Sequence, residues 1–155
     1  MKISSVSFNN RRKGFLVKIK SNGFWFPYAR LDAAPTSEDK VVRALVDAEL
    51  GREGFTYMLE SGREGTVHVE QVLEYNQDPA YMRDTLLYKL TLEAQNRVKK
   101  SSLSKRGIIR RLGTSATQFY RLLDQTNYRK SIDQMLTLLN VLDCEVDLIV
   151  RAKSA

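Results

Sequence analysis

The stretch LSKRGIIRRLGTSATQFYRLL, residues 103–123, is the part of the chain around which the rest is organised, and it begins with the pattern of a short capped helix. Ser104 is placed as the N-cap, and Ile108 and Leu112 lie four residues apart on one helical face. Gly113 is expected to end this helix, because glycine takes the left-handed backbone conformation without a steric cost. The pattern therefore predicts a first helix that stops at Gly113.

A second short helix is predicted directly after this turn. Ser115 is followed three residues later by Gln118, which is the signature of a capping box, so the helix should begin at Ala116. At this phase the helix buries Phe119 and Leu122. The apolar residues of the two helices can then meet, and the stretch is interpreted as a helix pair joined by a tight turn.

This helix pair resembles the helix-turn-helix of the Xre/Cro (lambda-repressor-like) DNA-binding family. The positions that match the rhythm of the family are Ile108, Ile109, Leu112, Gly113 and Ser115. Ile109 stands where the family usually has alanine, and Thr114 replaces the commoner apolar residue of the turn. The resemblance extends over residues 80–145. It implies an all-helical domain whose second helix, residues 116–123, enters the major groove of DNA.

The charge of the chain is concentrated around the same helices. Residues 1–78 carry 11 Lys+Arg and 11 Asp+Glu, whereas residues 79–155 carry 14 and 7, so the net charge of +7 belongs to the second part. No acidic residue occurs between Glu93 and Asp124. That interval contains the cations Arg97, Lys99, Lys100, Lys105, Arg106, Arg110, Arg111 and Arg121. A solvated helix surface is one explanation, but charge that coincides with the helix pair favours phosphate backbones as the partner.

Composition excludes several classes of function. The chain of 155 residues, 43% apolar and 28% charged, is typical of a globular protein of one domain or two small ones. No apolar run reaches membrane-spanning length and the N-terminus lacks a secretory apolar region, so a cytoplasmic protein without a membrane partner is expected. Cys144 and His68 are single residues of their kinds. We therefore expect no enzyme, no metal site and no cofactor.

The first half of the chain is predicted to form a small antiparallel β meander of five or six strands, a domain over residues 1–77. Period-two patterns predict three strands within residues 1–30, with a tight hairpin turn at Ser21-Asn22-Gly23. Further strands are predicted over residues 41–46, 55–59 and 66–72, with a helix as the alternative for residues 41–50, which contain helix-forming Ala, Leu and Glu. The stretches FPYARL, GREGFTY and SGREGTVHV are similar to the DUF2442 family of small bacterial β domains of unassigned function. Partner binding or dimerisation is the expected role of this domain.

The second half, residues 78–155, is predicted to be helical with a C-terminal strand. Asp78-Pro79 begins a long helix that ends near Lys100, with an apolar stripe formed by Met82, Leu86, Leu87, Leu90, Ala94 and Val98. Ser131 and Gln134 predict a capping box for the last helix. Alternation of Val146, Leu148 and Val150 predicts a final strand that joins the β domain or pairs with a second subunit. The expected fold class is α+β, a β meander followed by a lambda-repressor-like domain and this strand.

The resemblance and the chemistry of the side chains nominate two sets of DNA-contacting residues. The candidates for reading bases are Ala116, Thr117, Gln118, Tyr120 and Arg121, since Gln pairs with adenine and Arg with guanine. The candidates for phosphate contacts are Lys105, Arg106, Ser115, Asn127, Tyr128, Arg129 and Lys130. Each of three candidates also has a structural alternative. Ser115 could be only a helix cap, Gln118 could be only its reciprocal partner, and Tyr120 could be partly buried in the core.

The sequence therefore predicts a sequence-specific transcriptional regulator of the Xre type that binds double-stranded DNA. One helix reads few base pairs, so a homodimer on a two-fold-related operator is expected, with its copies about 34 Å apart. The alternative is an antitoxin of a toxin–antitoxin pair, in which the β domain binds a toxin or another protein partner. An RNA-binding platform is disfavoured because the β half carries no net charge.

Overall fold

The computed structural model describes residues 1–153. The chain divides into two compact units, Met1–Met82, called the β unit, and a second unit that begins at Arg83, called the helical unit. The strands are β1 (Ile3–Asn9), β2 (Gly14–Ile19), β3 (Asn22–Pro27), β4 (Val41–Val46), β5 (Gly54–Leu59) and β6 (Glu64–His68). The helices are a one-turn 3-10 helix (Tyr28–Arg30), α1 (Val69–Tyr75), α2 (Pro79–Lys100), α3 (Lys105–Leu112), α4 (Ala116–Leu122) and α5 (Ile132–Val141).

The first sheet is antiparallel with the order β1-β2-β3, which confirms the three strands predicted for this region. Phe15, Val17 and Ile19 alternate along β2 and are buried. The hairpin turn differs from the prediction, because Asn22 already pairs with Ile19 inside β3. Lys20 has a φ of 56°, the positive angle that two-residue hairpin turns need at their first position. The turn is therefore Lys20-Ser21.

The second sheet has the order β4-β5-β6, and both sheets share one apolar core. The Ile3 amide donates a hydrogen bond of 2.8 Å to the Arg52 carbonyl, and Arg52 Nε donates to the Ile3 carbonyl at 3.2 Å. Arg52 thereby ties the β4–β5 loop to the first strand. The strand residues buried in this core are Ile3, Phe15, Val17, Ile19, Phe26, Val41, Phe55, Tyr57, Leu59 and Val67. The predicted antiparallel β meander is therefore confirmed, with its six strands divided between two three-stranded sheets.

The only tryptophan of the chain, Trp25, lies in β3 opposite Leu16 of β2. The guanidinium carbon of Arg12 lies 4.6 Å from the centre of the indole ring, which is a cation–π distance. The carbonyl of Trp25 accepts a hydrogen bond of 2.9 Å from Asn76 Nδ2 just after α1. Both ends of this residue are therefore held by other parts of the β unit.

The strand predicted over residues 66–72 is wrong after His68, where α1 begins. The side-chain carbonyl of Gln71 accepts the backbone amide of His68 at 2.8 Å, as the third residue of a helix does in a capping box. Val69, Val72 and Leu73 are buried at helical spacing. The alternation through Val67 and Val69 is thus interrupted by a change of period from two to 3.6 residues.

The long helix predicted from Asp78-Pro79 is confirmed as α2, but its buried face is rotated. Asp78 Oδ2 accepts the amide of Tyr81 at 3.0 Å as an N-cap does. The residues of α2 that are buried are Leu87, Thr91 and Ala94, whereas Leu86 is 38% exposed. Thr91 was not part of the predicted stripe, and its hydroxyl is accommodated by donating to the Leu87 carbonyl at 2.6 Å. Within residues 1–153, no helix combines the length and apolar character needed to cross a membrane.

The helical unit has its own core, to which α2, α3, α4 and α5 contribute. Its buried members are Leu87, Ala94, Ile108, Phe119, Leu122, Met135, Leu138 and Leu139. The capping box predicted for α5 is confirmed, because Ser131 Oγ accepts the Gln134 amide at 3.1 Å and Gln134 Oε1 accepts the Ser131 amide at 2.9 Å. The polar loop therefore ends at Ser131, and this cap fixes the residue at which α5 begins.

The predicted C-terminal strand is wrong. After α5 the chain turns at Asp143, whose φ is 57°, and residues 144–153 form no regular secondary structure. Leu148 and Val150 are 80% and 86% exposed, and this segment pairs with none of the described strands, so it lacks the hydrogen-bonded partner that a strand requires. The predicted fold class is therefore corrected after the β meander: the two sheets are followed by a helical region, and neither a lambda-repressor-like domain nor a final strand is shown among residues 1–153.

Candidate nucleic-acid interface

The turn between α3 and α4 is fixed by hydrogen bonds to the end of α3. Gly113 has a φ of 70°, and its amide donates to the Arg110 carbonyl at 3.2 Å. The Thr114 amide donates to the Ile109 carbonyl at 3.5 Å. These two bonds are the pair that defines a Schellman motif. The predicted stop of the first helix at Gly113 is confirmed, and the direction of α4 is set by this turn.

The predicted start of α4 at Ala116 is also confirmed, and the helix separates a buried face from an exposed one. Phe119 and Leu122 are buried in the helical core. The predicted base-reading residues on the exposed face are Ala116, Thr117, Tyr120 and Arg121. Tyr120 is 52% exposed, although its ring also meets Phe119 edge-on at 5.3 Å. The face opposite the core is therefore available to a partner.

Gln118 lies at the border of this face and its side chain is half-buried. Ser115 Oγ accepts the Gln118 backbone amide at 3.1 Å, so Ser115 is the N-cap of α4. The reciprocal bond of a capping box is not formed here, in contrast to the start of α5. Among residues 1–153 the side-chain amide of Gln118 makes no hydrogen bond. Its NH2 donor and its carbonyl acceptor are therefore both available to a ligand.

Lys105, at the start of α3, lies beside the exposed face of α4. Its Nζ is 5.9 Å from the centre of the Tyr120 ring, within the range of a cation–π interaction. Lys105 and Arg106 are both exposed. The ammonium of Lys105 is therefore held next to the surface that carries Thr117 and Arg121, and it adds a positive charge to that surface.

The C-terminal end of α4 is closed by side chains from other segments. Four consecutive carbonyls, those of residues 121–124, accept side-chain hydrogen bonds. Asn127 Nδ2 donates to Arg121 at 3.2 Å, and Gln95 Nε2 donates to Leu123 at 2.7 Å. Lys130 Nζ donates to the two remaining carbonyls, those of residues 122 and 124, at 2.9 and 2.8 Å. The loop after α4 is therefore fastened to the helix rather than free.

Lys130 differs from the other predicted phosphate-contacting residues because it is buried. Only 4% of its surface is exposed, and burial lowers the pKa of its ammonium, an effect that nearby Asp124 partly opposes. Its donors are already used on carbonyls at the end of α4. Its position assigns Lys130 to holding the loop in place, and its ammonium is not part of the exposed cationic surface.

A polar cleft of about 510 Å³ lies between α4, the following loop and α5. It is lined by Gln118, Arg121, Asp124, Thr126, Asn127, Arg129, Lys130 and Gln134. The structure thus brings a predicted base-reading arginine, Arg121, and a predicted phosphate-contacting arginine, Arg129, to one cleft. Asp124 is the acid in the lining, and hydrogen bonds from the Thr126 hydroxyl and amide lower its pKa. This carboxylate is therefore directed into its own turn.

Within the part of the chain that the structure describes, no ion pair neutralises the cations around α4. Among residues 1–153, ion pairs join Arg63 to Asp39, Arg83 to Asp84 and Arg97 to Glu93. None of them involves a cation of α3, α4 or the loop after α4. The exposed cations of these segments form what we call the α3–α4 surface, and they are Lys105, Arg106, Arg110, Arg111, Arg121 and Arg129. An external anion is the natural complement of this surface.

Sequence reasoning missed the residues that support the loop. Arg83 Nη2 donates to the Tyr128 carbonyl at 2.6 Å, so the backbone of Tyr128 is engaged while its side chain remains 39% exposed. Gln95 follows buried Ala94 on α2, and a polar residue beside the apolar stripe was the available signal. His68 and Cys144 do not take part, and no cluster of metal-ligating side chains exists among the described residues.

No model of a protein family, no curated protein and no solved structure matches this chain. The resemblances to the Xre/Cro and DUF2442 families therefore remain predictions. Any function assigned to the α3–α4 surface has to be argued from its geometry and charge.

Proposed function

We propose that this protein is a sequence-specific DNA-binding transcriptional regulator that inserts the exposed face of α4 into the major groove. The observation that carries the proposal is Arg121, which is exposed and forms no ion pair within residues 1–153, on a short helix that a Schellman turn and a serine cap hold in place. The major groove is about 12 Å wide and admits one α-helix. The small side chains of Ala116 and Thr117 allow close approach of the helix to the base edges.

Base reading is assigned to the side chains with free hydrogen-bonding groups on this face. Arg121 can donate two hydrogen bonds to guanine, and Gln118 can pair with adenine through its unengaged amide. Tyr120 offers an aromatic edge to a thymine methyl group. Arg121 and Gln118 also line the cleft beside α4, so a base edge or a sugar can lie against both side chains.

Phosphate contacts are assigned to residues on either side of α4. Lys105 and Arg106 lie at the start of α3, and Arg129 lies in the loop after α4. Asn127 is half-buried and bonded to the Arg121 carbonyl, so it supports the loop from which Arg129 extends. Contacts of this kind position a protein on the duplex and make binding depend on salt, but they do not read sequence.

The test begins with selection of bound duplexes from a random pool, followed by affinity measurements on the enriched sequence. Replacing Arg121 with Ala should weaken binding to that sequence by about 5- to 150-fold, the range for loss of one bidentate base contact, and should change binding to random DNA far less. Lys105→Ala should weaken binding to both DNAs alike. It should also reduce the slope of log affinity against log salt concentration by about one.

Arg11→Ala is the matched control, because Arg11 is an equally exposed arginine of the β unit and the change in charge is identical. It should leave the affinity for both DNAs unchanged. If Arg121→Ala and Arg11→Ala weaken binding equally, or if no sequence is enriched, the base-reading role of α4 is refuted.

We further propose that two copies bind a two-fold-related operator, since one short helix contacts only a few base pairs. The enriched sequence should then contain two inverted half-sites with centres about 34 Å apart or a multiple of that distance. Sedimentation of the complex should give two chains per duplex. One chain per duplex and a single half-site would contradict the dimer.

A further inference from the structure

A cavity of about 580 Å³ in the β unit is separate from the α3–α4 surface, and its size is that of a small-molecule site. It opens where the β1–β2 turn, the 3-10 helix and the loop before β4 come together. Its lining residues are Asn10, Lys13, Pro27, Tyr28, Ala29, Ala34, Pro35, Thr36, Ser37 and Lys40. The proposed DNA-binding function makes no use of any of them.

The walls of this cavity are held by hydrogen bonds before any ligand arrives. The Tyr28 amide donates to the Lys13 carbonyl at 2.9 Å, which joins the 3-10 helix to the β1–β2 turn. Asn10 accepts from the Tyr28 hydroxyl at 2.9 Å and donates to the Val41 carbonyl at 2.9 Å. The loop before β4 is held by Tyr57, whose hydroxyl donates to the Ala33 carbonyl at 3.0 Å. A preformed site of this kind loses little conformational entropy on binding.

The lining of the cavity combines an apolar wall with positive charge at its edge. Its body is apolar, with two prolines, two alanines and the ring of Tyr28. The Tyr28 hydroxyl on this wall is uncharged at neutral pH, and burial raises its pKa further, from 10.0 to about 12. Lys13 and Lys40 are exposed at the edge, and neither forms an ion pair among the described residues. The hydroxyls of Thr36 and Ser37 make no hydrogen bond within residues 1–153.

No carboxylate lines the cavity, and the nearby acids are directed elsewhere. Asp39 accepts the amide and the hydroxyl of Ser61 at 2.9 and 2.8 Å. Glu60 accepts the backbone amide of Lys40 at 3.4 Å rather than its ammonium. The uncompensated charge at the opening is therefore positive, and the free hydroxyls beside it can donate hydrogen bonds to an anion.

From these features we infer that this cavity binds a small organic carboxylate with an apolar body. The apolar part would lie against Pro27, Ala29 and Ala34, and the carboxylate would lie between Lys13 and Lys40. Charge-assisted hydrogen bonds from two ammonium groups favour an anion over a neutral molecule of the same shape. The inference does not depend on whether α4 binds DNA.

The test uses 2-naphthoate as the probe and 2-naphthamide, its neutral counterpart, as the comparison. Both are titrated into the full chain with isotope-labelled alanine methyl groups. We expect 2-naphthoate to shift the methyl signals of Ala29 and Ala34, while those of Ala48 and Ala94, which do not line the cavity, stay in place. The amide should bind about tenfold more weakly or not at all.

A double variant, Lys13→Gln with Lys40→Gln, should weaken 2-naphthoate binding by about tenfold or more and leave the amide unaffected. Lys2→Gln with Lys18→Gln removes the same charge from exposed positions outside the cavity and should have no effect. Lys13→Arg with Lys40→Arg should retain binding. Equal binding of the two probes, an equal loss in both glutamine variants, or no shift at Ala29 and Ala34 would overturn the inference.

Discussion

Adding one methyl group at two glycines of the α3 region should change stability in opposite directions. Gly113 has a φ of 70°, and a Cβ built there meets no atom within 4 Å. Gly113→Ala therefore introduces no clash, and its cost is that of the left-handed backbone alone, about 1–2 kcal/mol. Gly107 lies inside α3, where its Cβ would be 3.4 Å from Ser104 Oγ in ordinary contact. Gly107→Ala should stabilise by about 1 kcal/mol through helix propensity.

The two variants should thus differ by about 2–3 kcal/mol in the free energy of unfolding. Urea denaturation followed by far-ultraviolet circular dichroism measures this difference. Gly113→Asn serves as the control, because asparagine tolerates the left-handed conformation better than alanine and should cost less. If Gly113→Ala is neutral, the Schellman turn is not held in solution. If Gly107→Ala destabilises as much as Gly113→Ala, the separation of backbone strain from helix propensity fails.

Two further predictions concern buried polar side chains. Lys130→Met should lower the free energy of unfolding by about 1–3 kcal/mol, because it leaves two carbonyls at the end of α4 without their donor; an unchanged urea midpoint would contradict this. Tyr28 should ionise only near pH 12, since burial raises its pKa from 10.0 to about 12. The stabilisation linked to its neutral form is complete below pH 10.0 and is lost as the pH rises through about 12. Tyr28→Phe should abolish that loss in alkaline unfolding, and an ordinary phenol titration in the native protein would refute the prediction.

The features that sequence reasoning predicted well are those fixed by neighbouring residues. Ser104, Ser115 and Ser131 cap their helices through the amide three residues later, so each start could be found from a short window. Gly113 ends α3 for an equally local reason. The exposed face of α4 followed directly, because the start of a helix sets the phase of every residue in it.

The features that were missed depend on partners distant in the sequence. An alternating segment becomes a strand only when it pairs with another strand, and residues 144–153 pair with none of the described strands. The burial of Lys130 depends on carbonyls that α4 presents after folding, which its own neighbours do not indicate. The rotation of the buried face of α2 required Thr91 to hide its hydroxyl by bonding Leu87, and this option is invisible to a count of apolar residues.

The position of Trp25 determines what intrinsic fluorescence can report. As the sole indole of the chain, packed in β3 beneath Arg12, it emits from the β unit and from nowhere else. Emission changes during a DNA titration would therefore be a signal from strands that carry none of the proposed contacts. A silent emission spectrum would be fully compatible with tight binding through α4, so titrations of this protein require a dye on the duplex or a label on the helices.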